Sequence, residues 1–172
     1  MIFDNNISIS EEYNFILVFG NDCINKELLS YLEENAFEFN NPKSKNTFSD
    51  INKINIGTIR IRDKRDSSAG MKNDAGLSIK VDFDKNLRDI PVVIDTKTGD
   101  IKNRSKDGLL VNKNNYKIKA SKINYIQNFI YDNFDDIVAY YKNDDNPNIQ
   151  KDAKNAILKR SINKSFKKGN ND

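Results

Sequence analysis

Residues 77–84 alternate almost perfectly: Leu77, Ile79, Val81 and Phe83 fall on one side, and Ser78, Lys80, Asp82 and Asp84 on the other. Side chains of a β-strand point to opposite faces with a period of two, so this run demands a strand with one face buried. Such a strand is stable only inside a sheet. The remaining sequence must therefore supply neighbouring strands and a layer to cover the apolar face.

Several segments meet that demand. Residues 12–19, Glu-Tyr-Asn-Phe-Ile-Leu-Val-Phe, are β-branched and aromatic, end at Gly20, and read as a strand buried on both faces. Residues 54–62 alternate on each side of Gly57 with a slip of one there, which a β-bulge at the glycine would produce. Pro91 to Ile101 reads as a hairpin in which Thr98-Gly99 supplies the positive-φ turn residue. Shorter strands are expected at 109–111 and 116–119. The polar residues 63–76 read as a long loop or flap.

Helical spacing appears at both ends. Ile24, Leu28, Tyr31 and Leu32 share a face, with Asn21 or Asp22 as cap. Ile123, Ile126, Ile130, Phe134, Ile137, Val138 and Tyr141 keep helical spacing behind a cap at Ser121, with Asp132-Asn133 a candidate break. Asn146-Pro147 restarts a last helix with proline in its favoured first turn. The fold class is therefore α+β: a mostly antiparallel central sheet with an N-terminal β-α unit and two C-terminal helices. Residues 1–145 form a single domain, with a β-α subunit over 1–39 and a loop over 40–50. Residues 146–172 form a basic C-terminal helix and frayed tail.

Composition limits the chemistry. The chain has 172 residues, no histidine, no tryptophan and one cysteine. Histidine-based nucleophile pairs and histidine zinc ligands are thus excluded, as are disulfide frameworks and cysteine zinc clusters. Cys23 reads as a small apolar side chain in a reducing compartment. Apolar residues make up 37 % and charged ones 31 %, yet 10 Phe, 7 Tyr and many isoleucines at regular spacings supply one real core. The abundance of Asn, Lys and Ile reflects an AT-rich genome. No run of apolar residues is long enough to span a membrane, and Met1-Ile-Phe-Asp-Asn-Asn lacks the features of a signal peptide, so a cytoplasmic protein is expected.

The net charge of +3 hides a strong partition. Residues 1–50 hold 3 basic and 9 acidic side chains, residues 51–150 hold 18 and 14, and residues 151–172 hold 7 and 2. The basic candidates for phosphate contact are Arg60, Arg62, Lys64 and Arg65 on and after one strand, with Lys159, Arg160 and Lys164 on the last helix. Solvated charged faces account for the same pattern, and no nucleic-acid motif accompanies it.

One arrangement has catalytic content. Asp82 or Asp84 on one strand followed by Asp95-Thr-Lys97 on the next follows the layout of Mg²⁺-dependent nucleases of the restriction-endonuclease type. There the carboxylates hold the metal and the lysine orients water or phosphate. Asp95-Thr-Lys-Thr-Gly-Asp is also ordinary turn chemistry. Aromatic residues crowd residues 125–141. Tyr131, Tyr140 and Tyr141, beside Asp135 and Asp136, suit a protein interface if exposed and a deep core if not.

The expectation is a non-catalytic macromolecule-binding protein, a small inhibitor or accessory factor of a bacterial or mobile-element system, acting through protein contacts. Nucleic-acid binding through the basic strand and helix is the first alternative. The nuclease with Asp82, Asp84, Asp95 and Lys97 is the second. Neither a cofactor nor a resident metal is expected, and the partner is a protein or a nucleic acid, not a membrane.

Overall fold

The computed structural model describes residues 2–4, 7–10, 15–19, 57–63, 77–84, 86–107, 110 and 117–171, with side chains over the part from 15 to 160. Strands β1 (Ile2–Asp4), β2 (Ile7–Ser10), β3 (Phe15–Phe19), β4 (Gly57–Ile61), β5 (Ser78–Asp82) and β6 (Ile90–Val93) form one sheet, ordered as in the sequence. Helices α1 (Ala120–Lys142) and α2 (Pro147–Asn171) follow. The fold is α+β, but the sheet is mixed: β3 and β4 are parallel, and the other neighbouring pairs are antiparallel. A parallel pair needs a crossover connection, and residues 20–56 stand between these strands. The helix expected at Ile24–Leu32 and the loop 40–50 lie in that stretch, outside the described residues.

Alternation along the strands divides the sheet into two faces. Phe15, Leu17, Phe19, Ile59, Ile61, Leu77, Ile79, Val81, Phe83, Ile90, Val92 and Ile94 belong to one apolar cluster with Ile123, Ile126, Ile130 and Ile137 of α1 and Ile157 and Leu158 of α2. Phe15 is its hub. Its ring stacks on Tyr125 at 5.6 Å and meets Phe83 edge-on at 6.1 Å, and Phe19 meets Tyr140 at 5.3 Å. The last helix contributes Ile157 and Leu158 to this core. Its helical backbone also runs through residues 167–171, where the sequence suggests fraying.

The opposite face is not the solvated one that the alternation of β5 implies. Ile16 and Val18 are fully buried there, as are Thr58, Ser78 and Asp82, while Arg60, Lys80, Pro91 and Val93 keep partial exposure. Thr58 and Asp82 are buried there as partners of each other.

Local signals explain two of the helix boundaries. Asn146 accepts the Ile149 amide through Oδ1 at 3.3 Å, so it caps α2 ahead of Pro147. Asn143 closes α1 by donating from Nδ2 to the Ala139 carbonyl at 2.7 Å. Ser121 is not the cap of α1: the helix starts at Ala120, and Lys119 precedes it without a side-chain cap. Nor does α1 break at Asn133, whose Nδ2 donates back to the Phe129 carbonyl at 2.9 Å and stays within the helical ladder. Residues 117–119 are not a strand, while Arg104 and Leu110 form an isolated bridge in the region of the expected short strand.

The register across β3 and β4 is continuous from Phe15 opposite Gly57 to Phe19 opposite Ile61. The role of Gly57 here is spatial. A Cβ at this position would lie 2.5 Å from Phe15 Cε1 and 2.6 Å from the Asp82 carbonyl oxygen. Neither a core ring nor a paired backbone can yield that much. Gly57→Ala is expected to cost about 2–3 kcal/mol by overpacking, read as a lowered urea midpoint at unchanged m-value.

Candidate interaction surface

β6 runs into a turn whose geometry follows from a few polar side chains. The Asp95 carboxylate accepts the amides of Lys97 at 2.8 Å and Thr98 at 3.1 Å, and Gly99 N donates to the Asp95 carbonyl at 2.9 Å. Gly99 has φ of 80°, the left-handed region that glycine occupies at little cost. The chain then returns along β6. Asp95 N donates to Asp100 O, Ile94 bridges Ile101, and Lys102 N donates to Val93 O. Asn103 completes the edge, accepting from Val93 N at 3.0 Å and donating to Pro91 O at 2.8 Å. Its amide replaces the strand that β6 lacks on that side.

Helix α1 holds this turn by a buried clamp. Gln127 Oε1 accepts the Ile101 amide at 3.0 Å, and its Nε2 donates to the Gly99 carbonyl at 2.9 Å. One turn further, Tyr131 donates its phenol to Asp100 Oδ1. The Tyr131 and Phe134 rings also pass close to Gly99, 3.4 Å from where a Cβ would stand. Tyr131 is nonetheless 49 % exposed, one of two exposed large hydrophobic residues among the described residues, with Ile149 of α2. Asp135 is exposed one turn along the same helix, while Asp136 pairs with Arg160 at 2.5 Å. Tyr140 and Tyr141 are partly buried against the core. Of the aromatic residues that suit an interface, Tyr131 is the one presented to solvent.

The bond to Asp100 raises the Tyr131 phenol above its ordinary value, with burial and the Asp100 charge adding to it. Asp95 is shifted the other way. The amides of Lys97 and Thr98 hold its carboxyl below the ordinary value of 3.8.

On the second face of the sheet, Asp82 is 1 % exposed. It accepts from Thr58 Oγ1 at 2.9 Å, from the Asp89 amide at 2.5 Å and from the Arg60 guanidinium at 3.3 Å. Arg60 also pairs with Asp89 at 2.8 Å. Asp89 has φ of 55°, uncommon outside glycine, and its amide and carboxylate both serve this group. Asp84 caps the following turn, accepting the amides of Asn86 at 2.7 Å and Leu87 at 3.0 Å.

The residues of the nuclease alternative do not converge. Asp82 lies opposite the Asp89 end of β6, whereas Ile94, next to Asp95, bonds to Leu77 at the other end of β5. Five residues of strand separate those levels, roughly 17 Å. Asp95 and Lys97 belong to the hairpin turn, and Lys97 is exposed there. Among the described residues, no group of three or more His, Cys, Asp and Glu side chains could hold a metal ion.

The basic candidates separate as well. Arg60 is engaged by Asp82 and Asp89, and Arg62 is half-buried. Lys159 and Arg160 are exposed on α2, with Arg160 tied to Asp136 and to Asn133 Oδ1. Lys64 and Arg65 lie outside the described residues, as does the side chain of Lys164. Sequence reasoning missed Gln127, Asn103 and Asp89. A lone glutamine on the apolar stripe of α1 was the available signal for the first; Asn103 and Asp89 act through strand pairing that no local spacing records.

Comparison with family models, curated proteins and solved structures finds no match to this chain. No helix among the described residues is long and apolar enough to cross a membrane.

Two outcomes are expected. Arg60→Ala exposes the buried Asp82 charge to a missing partner and should lower stability by about 2–3 kcal/mol, since Arg60 is only partly buried. Denaturation midpoints check this. For Asp95 the depressed value means that the turn bonds are complete above the ordinary value and are lost as pH falls through the lower folded value. The Lys97 and Thr98 amide shifts should therefore titrate with a midpoint below 3.8, and Asp95→Asn should abolish that titration.

Proposed function

We propose that this protein acts by binding another protein, without catalysis of its own, through the surface formed by the Asp95–Gly99 turn and the exposed side of α1. The role is that of a small inhibitor or accessory factor. The observation that carries the reading is Tyr131: an aromatic side chain about half exposed, yet fixed by its bond to Asp100 and by the clamped turn beside it.

Aromatic residues dominate interface energetics because they bury much area while immobilising few torsions. A ring already fixed before binding loses less conformational entropy on association. The turn around it is rigid for the same reason, its amides being taken up by Asp95 and its carbonyl by Gln127. Of the described candidates for the nucleic-acid alternative, Arg60 is occupied by carboxylates, Arg160 is paired with Asp136, and Lys159 is exposed on α2.

The test is affinity purification of the tagged chain from the producing cell. A stable protein partner should be retained by the wild type and by Lys151→Ala on exposed α2, and lost in Tyr131→Ala with Asp135→Lys. Absence of any partner, or equal retention by the doubly substituted chain, sinks the reading. Recovery of nucleic acid alone, released steeply by salt, would favour the alternative.

A further inference from the structure

We propose that the exposed ring of Tyr131 receives an arginine side chain of the protein partner, its guanidinium lying over the ring and bonding to the Asp135 carboxylate. This rests on the protein-binding reading above and adds the chemistry of the contact.

Three observations point to a cation. First, Tyr131 stands alone among polar groups. The other exposed large hydrophobic residue among those described, Ile149, lies on α2, so no apolar stripe is offered to a hydrophobic helix. Second, the phenol donates to a carboxylate. That bond pushes electron density toward the ring and strengthens its negative face, the feature that attracts cations. Third, an exposed carboxylate lies one helical turn beyond Tyr131. It belongs to Asp135, and Asp100 accepts the phenol from the turn. The cation Arg104, whose charge is felt at the phenol, donates to Asn124 Oδ1 at 2.8 Å, two helical turns before Tyr131. The Asp135 side is the one left anionic, since Arg160 there is taken by Asp136.

Arginine fits better than lysine. A planar guanidinium can stack on the ring and still direct N–H groups at a carboxylate one helical turn away, whereas an ammonium is a compact and strongly hydrated point charge.

The probe is a short acetylated and amidated Gly/Ser peptide carrying several arginines, compared with versions carrying lysines or glutamates. Amide shifts of the full chain report the contact. Saturable changes are expected at residues 98–100 and 128–135. The lysine peptide should bind about 2- to 5-fold more weakly and the glutamate peptide not at all. Tyr131→Leu and Asp135→Asn should each weaken the arginine peptide by a similar factor, while Asp152→Asn, an exposed carboxylate on α2, should not. The dispersion of the remaining amides shows that each variant is folded. Wild-type affinity in Tyr131→Leu overturns the proposal, and so does equal weakening by Asp152→Asn, which would mean diffuse attraction. If a cellular partner depends on Tyr131 while the arginine peptide shows no preference, this inference falls and the protein-binding reading stands. A partner retained by Tyr131→Leu removes both.

Discussion

The packing of Phe15 over the bare backbone of Gly57 is the contact on which the rest of the structure depends. These residues stand opposite each other in the parallel pair, so the ring lies where any other residue of β4 would place a Cβ. That permits one ring to join four elements: it belongs to β3, covers β4, meets Phe83 beyond the end of β5 and stacks on Tyr125 of α1. Dispersion between such groups is small per atom pair and large in sum, and it is lost quickly when surfaces separate. The distance between helix layer and sheet is therefore set at this point. From there α1 also reaches the hairpin turn, which Gln127 clamps.

The second face of the sheet answers a different requirement. Once Thr58, Ser78 and Asp82 are buried, their polar groups need partners inside the protein, because an unpaired buried carboxylate costs several kcal/mol. Thr58, Arg60 and the Asp89 amide meet that need around Asp82. The left-handed conformation of Asp89 follows, since it turns both the amide and the carboxylate of one residue toward the same cluster. This alters what the charge partition along the chain means. Arg60 heads the basic middle segment on paper, yet it lies between two aspartates and contributes little net field.

The legible parts of the fold were those fixed by local periodicity. The alternation of Leu77 to Phe83, the aromatic and β-branched run ending at Phe19, and the helical spacing of Ile123, Ile126, Ile130 and Ile137 are each recorded within a few consecutive residues. So are the Gly99 turn and the Asn146-Pro147 start of α2. What escaped depends on long-range pairing. β1 has three residues and the Ile-Ser-Ile-Ser of β2 alternates for only four, and both exist through their neighbours in the sheet. A parallel pairing leaves no mark in either strand by itself. The same rule governs the site: Tyr131 and Asp135 stood out as exposable groups on a helix, but Gln127 has meaning only beside two backbone groups that fall more than twenty residues earlier.

The requirement at Gln127 is narrow. The hairpin directs a carbonyl at Gly99 and an amide at Ile101 toward the buried side of α1. An apolar residue would leave both unpaired. A carboxylate could accept from the amide but would repel the carbonyl, and a lysine would do the reverse. A side-chain amide carries one acceptor and a donor at the right separation, and glutamine has the reach from a helix that asparagine lacks. Burial then makes the pair of bonds all-or-none, because opening the turn would strand the backbone groups and the amide together. The turn is thus held as firmly as the helix itself, although its residues Thr96, Lys97 and Thr98 are in solvent. A surface loop with that support keeps its shape without a partner, and a fixed shape carrying one exposed ring is what separates a recognition surface from a merely solvated one.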